Sequence, residues 1–216
     1  MGFICYSATQ CFMAIDPESF DKPVKDYDFA SLSDSKSLID QMGDAGGFTA
    51  TKLADARDIL KDMRTEIDAV DADSSKVTNW LSFPACLCAT GTRGFFVEAV
   101  KTKMFNVVST TCGTLDHDIA RAYKHYYHGA FELDDIELGE HQLMRLGNVI
   151  VPNASYGEII ESVVLPVLED IRNDRMAETG KQGADLWLGF GSVHLVWELG
   201  KRIGTPDSLI YWAYKN

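Results

Sequence analysis

At 216 residues, 46% hydrophobic and 24% charged, the chain has the balance of a globular protein able to bury one sizeable core. Its formal net charge of −12 disfavours nucleic acid, whose phosphates reward a basic face, and would welcome a polycationic ligand, although solubility alone also accounts for an acidic surface. No apolar run approaches the ~18 residues of a membrane span, and residues 1–15 lack the basic start of a secretory signal, so a cytoplasmic protein without membrane contact is expected.

Residues 1–31 show no clear period, and Asp21-Lys22-Pro23 interrupts any helix across them, so they read as a variable lead-in to a domain over 32–216. A short helix is predicted over Asp34–Met42, broken by Gly43 and by Gly46-Gly47. Leu53, Ala56, Leu60, Met63 and Ile67 recur at three- and four-residue spacing and predict a longer helix whose apolar stripe must pack on something, with Thr49 or Thr51 as its cap. The acidic, serine-rich run 68–76 reads as a solvated connection.

Trp80-Leu81-Ser82-Phe83 reads as a strand, Pro84 to Gly91 as a turn and helix entry, and Phe95, Phe96, Ala99, Val100 and Met104 as a helical face leading to a second strand at Val107-Val108. Such a strand, helix, strand unit has small residues at the carboxyl ends of both strands, where ligands of open parallel sheets collect. Thr110-Thr111-Cys112-Gly113 then hands over to Leu115-Asp116-His117-Asp118, which suits a helix N-terminus. Free backbone N–H groups at that positive dipole end can hold a phosphate. Without Gly-x-Gly-x-x-Gly, the same turn is equally an ordinary strand-to-helix connection. The five cysteines, at 5, 11, 86, 88 and 112, form no C-x-x-C pair. No structural metal is therefore expected, Cys86 and Cys88 read as small buried thiols, and the odd count suits a reducing compartment.

Ile119–Tyr126 completes the helix, Asp134–His141 forms a short acidic one, and Asn148–Val151 is a strand stopped by Pro152. Ala154–Arg172 places Ile159, Val163, Val164, Val167, Leu168 and Ile171 on one apolar helical face, with a kink expected at Pro166. Asn173–Ala184 reads as a polar loop. Val193, Val196, Trp197 and Gly200 mark a further helix ended by Gly204, and Thr205-Pro206-Asp207 reads as the start of the last one, with Thr as cap and Pro at the first helical position.

These words stand in a telling order. Gly46-Gly47-Phe48-Thr49-Ala50, Gly91-Thr92-Arg93-Gly94, the Thr110–Gly113 turn with Leu115–Asp118, Tyr127-His128-Gly129-Ala130-Phe131, Arg145–Asn153, Leu199-Gly200-Lys201 and Tyr211–Asn216 together resemble deoxyhypusine synthase in order and spacing. The resemblance implies an α/β fold, a Rossmann-like parallel sheet flanked by helices, incomplete without its C-terminal part. It implies NAD as cofactor, spermidine and the hypusine-containing translation factor as partners, and a homo- or hetero-oligomer, usually a tetramer. The family reaction passes a hydride from spermidine to the nicotinamide, lets an enzyme lysine attack the resulting imine, and moves the aminobutyl group to a lysine of the translation factor. Carried over to this chain, Thr110, Thr111, Cys112 and Gly113 match the segment that contacts NAD, and Ala85, Cys86 and Ala89 match the earlier cofactor segment. Asp116, His117 and Leu143 fall on the polyamine side.

The chain departs from the family in two ways. Pro84, Ala85, Cys86 and Ala89 stand where many members carry Thr, Ser and Asn donors, and His117 stands where many carry a second carboxylate. Family members also continue beyond the Tyr211–Asn216 segment into a Trp-Gly-Lys motif holding the nucleophilic lysine; Lys215 lies in a different motif and is not expected to replace it. No catalytic residue is therefore assigned within the chain. It is expected to be the N-terminal part of a split or truncated synthase completed by a C-terminal partner chain, with a noncatalytic regulatory subunit, a homospermidine synthase and a generic NAD-binding module as alternatives.

Overall fold

The computed structural model describes residues 3–7, 10–13, 22–69 and 78–216. Contacts divide the chain into two units, Met1–Val77 and Thr78–Asn216. In the first, Phe3–Ser7 (β1) and Gln10–Met13 (β2) pair antiparallel, and helices α1 (Ser35–Ala45) and α2 (Ala50–Ala69) pack together. Asp34 caps α1: its carboxylate accepts the Ser37 N–H at 2.7 Å while the Ser37 hydroxyl accepts the Asp34 N–H at 3.2 Å. Gly43 does not break this helix. It lies inside α1, where the missing side chain lets α2 approach, and a Cβ there would sit 2.9 Å from the Ala54 Cβ. The break comes at Gly46, with φ at +65°.

The expected stripe of α2 is not its packed face. Ala54 is buried, whereas Leu53, Ala56 and Leu60 are exposed and Met63 and Ile67 half-buried. Residues 70–76 of the expected connection and 14–21 of the lead-in lie outside the described residues.

In the second unit, β3 (Trp80–Phe83) and β4 (Val107–Thr110) run parallel, joined by α3 (Arg93–Lys101), with Trp80 opposite Val107 and Phe83 opposite Thr110. Asn79 sets this register: its side-chain amide donates to the Met104 carbonyl at 2.6 Å and its oxygen accepts the Asn106 N–H at 2.7 Å. Strand alternation sends Leu81, Phe83 and Val108 to the core and leaves Trp80, Ser82 and Ser109 exposed. Phe83 stacks on Phe96 of α3 with ring centroids 3.7 Å apart. Cys88, Ile119, Val167, Ile171, Leu199, Ile203, Leu209 and Ile210 complete the core, and full burial of such side chains stabilises by roughly 1.5–3 kcal/mol each.

Around this pair lie α4 (Cys112–Tyr123), α5 (Asp135–Glu140), α6 (Gly157–Thr179), α7 (Ser192–Ile203) and α8 (Leu209–Lys215). Four expectations need correction. The one strand expected near Val149 is half of a hairpin, β6 (Leu143–Leu146) and β7 (Val149–Pro152), turned at Gly147 with φ +60°, and Tyr127–His128 (β5) pairs with the other edge of β7. Helix α6 continues through the supposed loop to Thr179, because polar helix formers extend it until Gly180 adopts the left-handed conformation. Helix α8 starts at Leu209 with Ser208 as cap, accepting the Tyr211 N–H at 3.2 Å, while Thr205–Asp207 forms the turn before it. Cys88 is buried as expected, but Cys86 is exposed, because it lies on the outer side of a 3-10 turn at Ala85–Ala89. Among the described residues no helix is long and apolar enough to cross a membrane.

Candidate functional site

The two parallel strands end side by side, and the chain leaves each in a different way. After β3 it enters the 3-10 turn Ala85–Ala89; after β4 it enters α4 directly. The two exits are tied together. Thr110 donates its hydroxyl to the Phe83 carbonyl at 2.7 Å and lies 2.6 Å from the Thr114 hydroxyl, while the Ala85 N–H donates to the Thr111 hydroxyl at 3.2 Å. A Cβ on Gly113 would stand 3.0 Å from the Ala85 Cβ, so the glycine is what allows the turns to close. Engaged with Ala85, the Thr111 side chain does not cap α4, and among the described residues no other side-chain oxygen caps its first turn. A positive helix end thus opens at the carboxyl edge of a parallel strand pair, an arrangement suited to a phosphate.

The predicted cofactor residues Ala85, Thr110, Thr111 and Gly113 therefore meet in one place. Cys86 and Cys112 lie exposed on the same two turns, and Ala89 is buried at the end of the first.

One turn further along α4 come Asp116 and His117, each with a tyrosine. Tyr156 donates its hydroxyl to Asp116 at 3.2 Å, and the Tyr126 hydroxyl lies 3.0 Å from His117 Nδ1. The Tyr156 ring also sits 5.3 Å from the imidazole, centroid to centroid. Burial pushes the His117 pKa below the ordinary histidine value, Asp116 pulls it back up, and the Arg121 guanidinium lowers it again. Burial raises the phenol pKa of both tyrosines, and neighbouring Asp116 adds to this. Leu143 connects to this group through the backbone: it pairs with Pro152, which leads through the turn Asn153–Ser155 to Tyr156.

Neighbouring Asp118 has a different task. Fully buried, it accepts from Arg93 Nε at 2.8 Å, the Ser208 hydroxyl at 2.7 Å, and the N–H groups of Leu209 and Ile210 at 3.0 and 3.1 Å. It caps α8 from another helix. Arg121 performs a similar service for the 3-10 turn after β3, donating to the carbonyls of Cys88, at 2.8 Å, and Thr90, with its guanidinium 5.8 Å from the Tyr126 ring centroid. Beside these charges Cys88 is inert: burial, reinforced by Asp118, pushes its thiol up to about 11. Lys215 lies within 5.7 and 5.9 Å of the Tyr211 and Tyr214 ring centroids, on α8. Arg121, Tyr126 and Tyr156 escaped the sequence reading because each is a single residue without periodic signal; Asp118 stood in the Leu115–Asp118 motif, but three of its partners, Ser208, Leu209 and Ile210, lie 90 to 92 residues away.

A family profile for deoxyhypusine synthase matches residues 37–216. The chain belongs to the deoxyhypusine synthase family. It is similar to proteins named probable deoxyhypusine synthase from Picrophilus torridus, at 43% identity, and Thermoplasma acidophilum, at 41%, each over 199 residues that make up 92% of this chain and 57% of the relative. The chain thus spans little more than half the length of these synthase relatives. A crystal structure described as a candidate deoxyhypusine synthase from Entamoeba histolytica shares the fold, with a TM-score of 0.54 at 20% identity over 89% of this chain and 59% of that one. The α/β architecture expected from the resemblance is the one observed.

Proposed function

We propose that this chain carries the cofactor turns and the polyamine-side residues of a deoxyhypusine synthase, the N-terminal part of an enzyme that moves the aminobutyl group of spermidine to a lysine of the hypusine-containing translation factor. The family is NAD-dependent, and the closed pair of turns at the uncapped start of α4 fits that cofactor. When bound, NAD supplies the acceptor for the hydride leaving the polyamine. Thr110, Thr111, Cys112 and Gly113 would hold it through hydroxyls and backbone N–H groups, with Ala85, Cys86 and Ala89 lining the opposite turn. Asp116 would pair with an ammonium of spermidine, His117 would present a neutral imidazole beside it, and Leu143 would offer an apolar surface to the methylene chain. The attacking lysine would come from the part of the synthase that this chain does not span.

The observation that carries this reading is the contact between the two turns, with Asp116 and His117 one helical turn beyond it. The exposed face of the parallel pair, at Trp80, Ser82 and Ser109, supports completion by further structure, since parallel sheets are ordinarily covered on both faces. One feature favours a second reading: the 85–89 turn lacks the hydroxyl and amide donors many members carry, as a noncatalytic subunit that binds an active paralogue could tolerate.

Aminobutyl transfer from spermidine in the presence of NAD, assayed with the chain alone and with a polypeptide covering the remainder of a synthase relative, tests both. Transfer only in the mixture is expected. Bound NAD without transfer in either would favour the regulatory subunit, transfer to a diamine in place of the protein lysine would favour homospermidine synthesis, and absence of NAD binding in the mixture would refute the cofactor assignment.

A further inference from the structure

Tyr126 has no place in the proposed binding list, yet it touches both halves of the site. One face of its ring lies by the guanidinium of Arg121, which donates to the Cys88 and Thr90 carbonyls and so holds the cofactor-side turn. Its hydroxyl meets His117 Nδ1 at 3.0 Å, and its ring stands edge-on to the imidazole, 5.7 Å between centroids. The groups facing His117 are Asp116 and Arg121 on its own helix, Tyr126 just beyond it, and Tyr156 at the start of α6, whose hydroxyl is committed to Asp116.

We propose that Tyr126 is a positioning residue: clamped against Arg121, it donates its hydroxyl to His117 Nδ1, fixes the imidazole in its neutral Nε2–H form beside Asp116, and ties that pair to the cofactor-side turn. A half-buried phenol needs an acceptor for its proton, and the imidazole nitrogen it faces becomes that acceptor only when the ring is neutral. The proton then sits on Nε2. Two consequences follow for a polyamine ligand, and they rest on the function proposed above. Asp116 provides the one negative charge of the pair, so one ammonium is matched, and His117 offers an N–H donor, which suits an amine nitrogen that has given up its proton.

Tyr126→Phe keeps the ring and removes the hydroxyl; Tyr156→Phe, which releases Asp116 and leaves His117 Nδ1 alone, serves as control. Nitrogen-15 NMR of the His117 ring in the full chain reads tautomer and titration without any ligand. The wild-type ring is expected in the Nε2–H form. Its midpoint rises in Tyr126→Phe by about half to one pH unit, the equivalent of one lost neutral hydrogen bond, and stays within roughly a quarter of a unit in Tyr156→Phe. An Nδ1–H ring in the wild type, an unchanged midpoint in Tyr126→Phe, or equal shifts in both variants would overturn the assignment. Because the spectrum reports the pair whether or not NAD or spermidine binds, failure of the proposed enzyme function is seen separately, as lack of NAD binding.

Discussion

Replacing Asp118 should loosen the second unit more than any change on its surface. The carboxylate is fully buried and accepts four hydrogen bonds, one from Arg93, whose side chain is itself only 11% exposed. Asp118→Ala leaves that guanidinium without its buried anion, a change that costs about 3–5 kcal/mol in comparable sites. It also strands the Leu209 and Ile210 N–H groups, at about 1–3 kcal/mol for each buried donor left unpaired. These costs overlap, because relaxation and entering water relieve some of each, and a net loss near 4 kcal/mol is expected. Asp118→Asn keeps an oxygen for the helix N–H groups but gives up the charge, so its loss should be about half as large. Urea unfolding followed by circular dichroism gives the totals, and hydrogen exchange at residues 209 and 210 locates them. A loss of 3 kcal/mol confined to α8 would speed exchange there by roughly 100-fold. If Asp118→Ala lost less than about 1 kcal/mol and left those amides protected, the cross-helix cap would not be what holds α8.

Gly200→Ala should separate α7 from α8, since its Cβ would fall 2.1 Å from the Ile210 carbonyl oxygen, a backbone atom that cannot rotate away; a loss of about 1–3 kcal/mol, or several degrees in Tm by calorimetry, is expected. Maleimide labelling mapped by mass spectrometry should mark Cys86 and Cys112 early and Cys88 late, because Cys88 is buried with its thiol pushed up to about 11; equal rates would show that the 85–89 turn opens readily. The folded state holds His117 below the ordinary value by burial, so it resists a proton that the unfolded chain accepts near pH ~6.5. Stability should therefore be complete above that range and decline as pH falls toward the folded value, and His117→Gln should flatten this part of the curve of urea midpoint against pH.

What could be seen in the sequence was what local rules govern. The β3–α3–β4–α4 run was legible from the β-branched start of β4, the helical face of Phe96 and Ala99, and the small residues at both strand ends. The same rules placed Ala85 and Thr110–Gly113 on turns that do meet. Polarity misled over 173–179, where charged residues extend α6 along its outer side. Thr205-Pro206 satisfied every local rule for a helix start, yet the start moved to Ser208, because Asp118 supplies the N–H acceptors there from a distant helix. The hairpin at Gly147 was half missed because Leu143-Met144-Arg145-Leu146 alternates too weakly to show a strand without its partner. Tyr126 and Tyr156 reach His117 and Asp116 through tertiary packing, and nothing in their own neighbourhoods announces it.

The carboxylate of Asp118 also sets an order of events for a chain emerging from the ribosome. Until residues 208–210 have been synthesised, α4 presents a charge that belongs in the interior, and neither Arg93 nor the core beneath α8 has its final shape. The strand pair and its helices can collapse early, but they cannot close. A nascent chain halted before Ser208 would thus hold the two strand-end turns on an unsealed core, open to chaperones and proteases, and sealing would come as α8 arrives.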